Sequence, residues 1–116
     1  MKLAFQDRGA VRVVAVDGPR VDAAVTIEFK DAVRHVAGDA ADRVVLDLSQ
    51  VTFLDSSGLG ALVAAMKLIA PRRLELAGLT PNVERVFRLT RMDTVFTIHR
   101  SAEDVADLPP RLADAG

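Results

Sequence analysis

A chain of 116 residues has the size of one domain, and half of it is apolar with five Phe and no Trp or Tyr, so a core must be built from Val, Leu, Ile and Ala. Such aliphatic material suits α/β layering, in which central strands are buried on both faces. A formal charge of −1 argues against nucleic acid as the main ligand, and the absence of Cys excludes disulfides, thiolate metal sites and Cys nucleophiles.

In chain order, residues 3–5 read as a short strand and 7–10 as a turn. Residues 11–16 are a β-branched run bounded by Gly9 and Gly18, which predicts a strand paired with the first. From Asp22 the period changes. Val25, Phe29, Ala32, Val33 and Val36 follow i, i+4, i+7, i+8, i+11 spacing, one face of a helix that Asp22 caps and Gly38 stops. Residues 43–49 are the central-strand candidate, and 50–54 lead from it into Asp55-Ser56-Ser57. A helix over 57–69 follows, then a strand over 73–77 in which Leu74 and Leu76 alternate with polar neighbours. Thr80-Pro81 supplies a cap and a Pro at the first helical position, opening a helix with Val83, Val86 and Phe87 on its apolar face. Residues 94–98 are predicted as the last strand. Ser101-Ala102-Glu103-Asp104 has the form of a capping box opening a final helix, which Pro109-Pro110 ends. Strands alternating with helices imply an α/β domain over 1–108, with a mixed, mostly parallel sheet of about five strands and about four helices. Residues 109–116 are left as a short tail.

Between the central strand and the following helix lies Asp55-Ser56-Ser57-Gly58-Leu59-Gly60. Asp55 or either serine can cap the free N–H groups of that helix. Two glycines in a first turn lower helix stability by roughly 0.5 to 1 kcal/mol each against Ala, so their presence suggests a low surface that lets another protein approach the hydroxyls. The helix that follows is apolar nearly all round, more than one buried face requires, which leaves two readings: part of it meets a partner, or all of it is buried between the sheet and its neighbours.

With Val44-Val45-Leu46-Asp47-Leu48-Ser49 before it and the apolar helix after it, this segment resembles the signature of the STAS domain family. Within that family it is most similar to bacterial anti-sigma factor antagonists. Gly18 to Asp22 and Pro81 to Phe87 resemble two further family segments, with one more residue between Gly18 and Asp22 than the family usually has. The resemblance implies a partner switch, in which the unphosphorylated protein binds an anti-sigma factor that is also a serine kinase and the sigma factor is released. Phosphorylation turns binding off, and a metal-dependent serine phosphatase restores it. Carried over, Ser56 is the acceptor with Ser57 as second choice, and Asp22, Asp55, Ser56, Ser57, Gly58, Leu59 and Gly60 make the partner surface. The implied protein is cytoplasmic, bacterial and monomeric when free, with no cofactor, no metal, no direct nucleic-acid contact and no catalytic residue.

Other readings have less in the sequence. A hydrolase triad of Ser56 or Ser57 with His35 or His99 lacks the Gly-x-Ser-x-Gly elbow, because Leu54 and Asp55 stand where its first Gly would fall, and both histidines read as surface residues. No phosphate-binding Gly-x-x-x-x-Gly-Lys loop is present. The N-terminus has no signal-peptide apolar run, and no stretch reaches the ~18 to 20 apolar residues needed to cross a bilayer. A pattern self-contained from Met1 onward points to a stand-alone protein. The alternative is a STAS module of another signalling complex or of an anion transporter.

Overall fold

The computed structural model describes residues 2–38 and 42–106. An antiparallel hairpin of β1 (Lys2–Arg8) and β2 (Val11–Asp17) runs in register from Arg8 opposite Val11 to Lys2 opposite Asp17. Gly9, at φ +62°, makes the turn tight enough to join them with two residues. After β2 the chain forms β3 (Arg20–Val21), a 3₁₀ turn over Ala23–Val25 and helix α1 (Thr26–Ala37). It continues through β4 (Arg43–Asp47), β5 (Phe53–Leu54), α2 (Ser56–Ile69), β6 (Arg73–Ala77) and α3 (Pro81–Leu89). A second 3₁₀ turn (Met92–Thr94), β7 (Ile98–His99) and α4 (Ala102–Ala106) complete the described chain. Five strands form one sheet in the order β1-β2-β4-β6-β7, parallel from β2 onward, while β3 and β5 pair in parallel as a separate two-stranded piece.

Alternation along the strands sorts the core into two layers. Val14, Val16, Val44, Leu46, Leu74 and Leu76 face α1 and α2, and pack with Phe29, Val33, Leu62, Ala65 and Ile69. Helix α3 adds Val83 and Phe87 to this layer, with Phe96 set edge-on to Phe87 at 5.9 Å between ring centres. On the opposite face Val11, Val45 and Ala77 pack beneath Val105 of α4. Arg72, half of the basic Arg72-Arg73 pair, closes the C-terminal end of α1 by donating to the carbonyls of Ala37 (2.8 Å) and Gly38 (2.6 Å).

Four expectations need correction in detail. The first strand is longer than 3–5 and its turn shorter than 7–10, because pairing with β2 carries the ladder to Arg8. The predicted strand over 94–98 begins as the end of the 3₁₀ turn Met92–Thr94 and continues as a turn: Thr94, Val95 and Phe96 donate backbone bonds back to Arg91 or Met92, and Phe96 turns inward onto Phe87. Only Ile98–His99 joins the sheet. The β3–β5 pair lies in stretches read as connections, since two residues carry no periodicity. Thr80 stands at the N-cap of α3 ahead of Pro81 as expected, and its carbonyl accepts from Glu84 N at 2.8 Å, but its hydroxyl makes no capping bond and donates to the Val51 carbonyl at 2.7 Å instead. Glu75, the polar neighbour between Leu74 and Leu76, is itself only 1% exposed, because α4 covers its face of the sheet. The capping box of α4 holds in its serine half, Asp104 N donating to Ser101 Oγ at 3.3 Å. Pro109-Pro110 and the 109–116 tail lie outside the described residues.

Candidate functional site

Two strand-to-helix turns lie side by side at one end of the sheet. In the β3–β5 pair Arg20 stands opposite Phe53 and Val21 opposite Leu54, so the next residues, Asp22 and Asp55, leave the paired strands together. Both are extended; Asp55 caps α2, whereas Asp22 caps the 3₁₀ turn ahead of α1 and not α1 itself, whose N-cap position is Val25 without a side-chain bond. Asp22 Oδ1 accepts from Ala24 N at 3.1 Å, and Asp55 Oδ1 accepts from Gly58 N at 2.8 Å. Of the three candidates for the cap of α2, the carboxylate takes the role and both hydroxyls are left over. Pro19 fixes the two turns to each other, its carbonyl accepting from the backbone N–H of Thr52 (2.8 Å) and Phe53 (3.0 Å).

Ser56 and Ser57 are the first two residues of α2 and both are exposed. Their hydroxyls stand where the free N–H groups of a helix start favour negative charge. Gly60 is exposed with open space around it, in keeping with a low surface. Gly58 has a different reason to be glycine. It is buried, and a Cβ there would fall 1.9 Å from the Val21 carbonyl oxygen and 2.8 Å from the Leu54 side chain. The missing side chain lets α2 approach β3, so Gly58 shapes the site from beneath. Leu59 is half-buried against the main core.

The apolar excess of α2 is used mainly inside the protein. Ala61, Leu62, Ala65 and Ile69 are buried, and Leu59, Val63 and Met66 pack partly against the same core, with α1 on one flank. Leu68, 46% exposed near the far end of the helix, is the large apolar residue it presents to solvent. The Ser56 end presents Phe53 and small polar side chains instead.

Arg20 and Phe53 belong to this surface, and sequence reasoning missed both. The Arg20 guanidinium lies 4.1 Å above the Phe53 ring centre, and its Nε donates to Asp22 Oδ2 at 3.1 Å. Arg20 stands in a segment without periodicity, and only the β3–β5 pairing shows what it faces.

A second polar cluster lies away from the serines, under α4. Glu75 accepts two bonds from Arg43, through Nε at 2.8 Å and Nη2 at 2.7 Å, and one from His99 Nε2 at 2.7 Å. Burial alone would raise the Glu75 carboxyl, but the bonds from Arg43 and His99 and the charges of Arg43 and Arg73 outweigh it and hold the pKa below its ordinary value. His99 is therefore part of a half-buried network rather than a surface residue, while His35 is exposed near the end of α1 as expected. Among the described residues no group of three or more His, Asp or Glu is placed to hold a metal ion, and no helix is long and apolar enough to cross a membrane.

The STAS domain family model matches residues 2–105. A curated relative named anti-sigma-B factor antagonist, from Listeria monocytogenes, is 30% identical over 80 residues, covering 67% of this chain and 70% of its own length. Among solved structures, an anti-sigma factor antagonist from Mycobacterium paratuberculosis superimposes with a TM-score of 0.77 at 28% identity, covering 89% of this chain and 88% of that one. An anti-sigma-factor antagonist (STAS) domain protein from Planctomyces limnophilus shares the fold with a TM-score of 0.76 at 20% identity, covering 98% of each chain. On a match spanning almost every described residue, with the Asp-Ser-Ser turn in its expected place between strand and helix, the chain belongs to the STAS domain family.

Proposed function

We propose that this protein is an anti-sigma factor antagonist working by partner switching. Its unphosphorylated form binds an anti-sigma factor that is also a serine kinase, and phosphorylation of Ser56 ends that binding. A metal-dependent phosphatase returns it to the binding form, and the protein itself performs no catalysis. The observation that carries this reading is the division of labour at the start of α2: Asp55 takes the cap and leaves the Ser56 hydroxyl exposed and free of structural duty. The relative from Listeria monocytogenes, named for antagonism of an anti-sigma factor, supports the same direction.

The site also explains how a modification could act on a partner without unfolding the domain. A phosphate adds about −1.5 to −2 charges at pH 7, which a helix N-terminus tolerates and an interface shaped for a neutral hydroxyl does not. In this reading Asp22, Asp55, Ser57, Leu59 and Gly60 make the contact surface together with Ser56, which the β3–β5 register and the close approach of Val21 to Gly58 support.

The test is incubation with ATP and the kinase encoded nearest to this protein's gene, followed by intact-mass and fragment-mass analysis. One added phosphate on Ser56, absent from Ser56→Ala, is the expected result. No phosphate on either serine, from a kinase shown active on another substrate, would overturn the switch and favour a STAS module of another complex.

A further inference from the structure

We propose that Arg20 is the internal receptor for the phosphate on Ser56, so that the modification is displayed at Asp22 as well as at the serine. This rests on Ser56 being the acceptor and adds how its charge is handled.

Three observations place Arg20 for this role. Its guanidinium is stationed on the Phe53 ring, three residues ahead of Ser56, with more than half of the side chain exposed. Only its Nε is engaged, by Asp22 Oδ2 at 3.1 Å, so the fork of its two terminal amino groups is left for another acceptor. Its own strand touches the first turn of α2, where the backbone of Val21 is so close to Gly58 that a Cβ would not fit. An arginine side chain leaving that strand can swing across the turn to the serine.

Charge supplies the reason to swing. The two caps, Asp22 and Asp55, are carboxylates that leave the paired strands together, and a phosphoserine after Asp55 adds a dianion to them. Arg20 is the cation bonded into this acidic group. A planar guanidinium pairs with phosphate through two parallel bonds, and a dianion with three acceptor oxygens competes well against one carboxylate oxygen. Transfer of Arg20 to the phosphate changes the surface at two points. Ser56 gains a partly neutralised phosphate, and Asp22 loses its cation and faces the partner as a bare carboxylate.

The test uses the full chain with phosphoserine installed at position 56 by genetic encoding, so no kinase is required. A ³¹P NMR titration gives the phosphate pKa in the native chain, in Arg20→Gln and in Arg20→Lys. The native value is expected to lie about half a unit or more below that of Arg20→Gln, with Arg20→Lys recovering part of the difference. Equal values in all three would overturn the proposal. Should Arg20→Gln unfold, the native chain decides alone: the Arg20 guanidinium resonances must shift when phosphoserine replaces Ser56, and unshifted resonances would overturn the pairing. A kinase that never modifies Ser56 would overturn the acceptor reading, an outcome separate from either result here.

Discussion

Gly58 and Gly60 are separated by Leu59 alone in α2, and they answer to different neighbours. The backbone of Val21 sits where a Gly58 side chain would go, whereas nothing lies within 4 Å of a Cβ at Gly60. Gly58→Ala should therefore lower stability by about 1 to 3 kcal/mol, as overpacking does. Gly60→Ala should raise it by roughly 0.5 to 1 kcal/mol, through the better helix propensity of Ala. Urea unfolding of the two variants measures both, and equal effects would remove the distinction. From sequence the two glycines looked alike, because the carbonyl that separates them arrives from β3, far along the chain. The Asp55 cap was within reach of sequence reasoning because it spans three residues. Arg91 is a further local case: at φ +63° it occupies the left-handed region that glycine enters without strain. Arg91→Gly should leave the fold intact and raise the melting temperature by a few degrees, a gain of up to about 1 kcal/mol after the extra freedom of the unfolded chain is deducted.

Among the elements, β6 carries the largest electrostatic stake. Glu75 is buried between Arg43 and His99, and its folded pKa is lowered. A carboxyl whose pKa falls on folding contributes stability that is fully present above its unfolded value, about 4.3, and lost as pH drops through the folded value. The chain should accordingly lose stability as pH falls below about 4, and Glu75→Gln should flatten that part of the profile. At neutral pH Glu75→Gln should also cost about 3 kcal/mol, near the lower end for a broken buried pair because Arg43 keeps some contact with water. Melting curves from pH 3 to 7 on both proteins check the slope and the offset. The strands β2, β4 and β6 and the helices α1 to α3 were legible because aliphatic runs and helical spacing extend over five residues or more. β3, β5 and β7 have two residues each, too few for periodicity, and their pairing depends on what the longer elements bring near. The Leu-Glu-Leu alternation of β6 was visible, but not that α4 would cover the face carrying Glu75.

Taken as a whole, the molecule keeps its stability and its candidate switch in different places. Its two apolar layers lie on the faces of the five-stranded sheet, whereas Ser56 sits at the exposed start of α2 beside the separate β3–β5 pair. The element order made the fold readable from sequence, and with it the place of the Asp-Ser-Ser turn between strand and helix. The pairing that sets Asp22 beside Asp55, and brings Arg20 and Phe53 to the same surface, joins segments more than thirty residues apart and required the structure. This separation predicts that charge at Ser56 alters binding without altering folding. The most direct measurement is calorimetric titration of the anti-sigma factor kinase with the native chain and with Ser56→Glu, alongside melting curves of both. A partner switch at Ser56 predicts an affinity loss of about 30-fold or more, equivalent to ~2 kcal/mol or more at the interface, with melting temperatures within about 2 °C. Equal affinity for the two proteins would contradict it, as would a melting temperature that falls steeply in Ser56→Glu and makes Ser56 part of the structure.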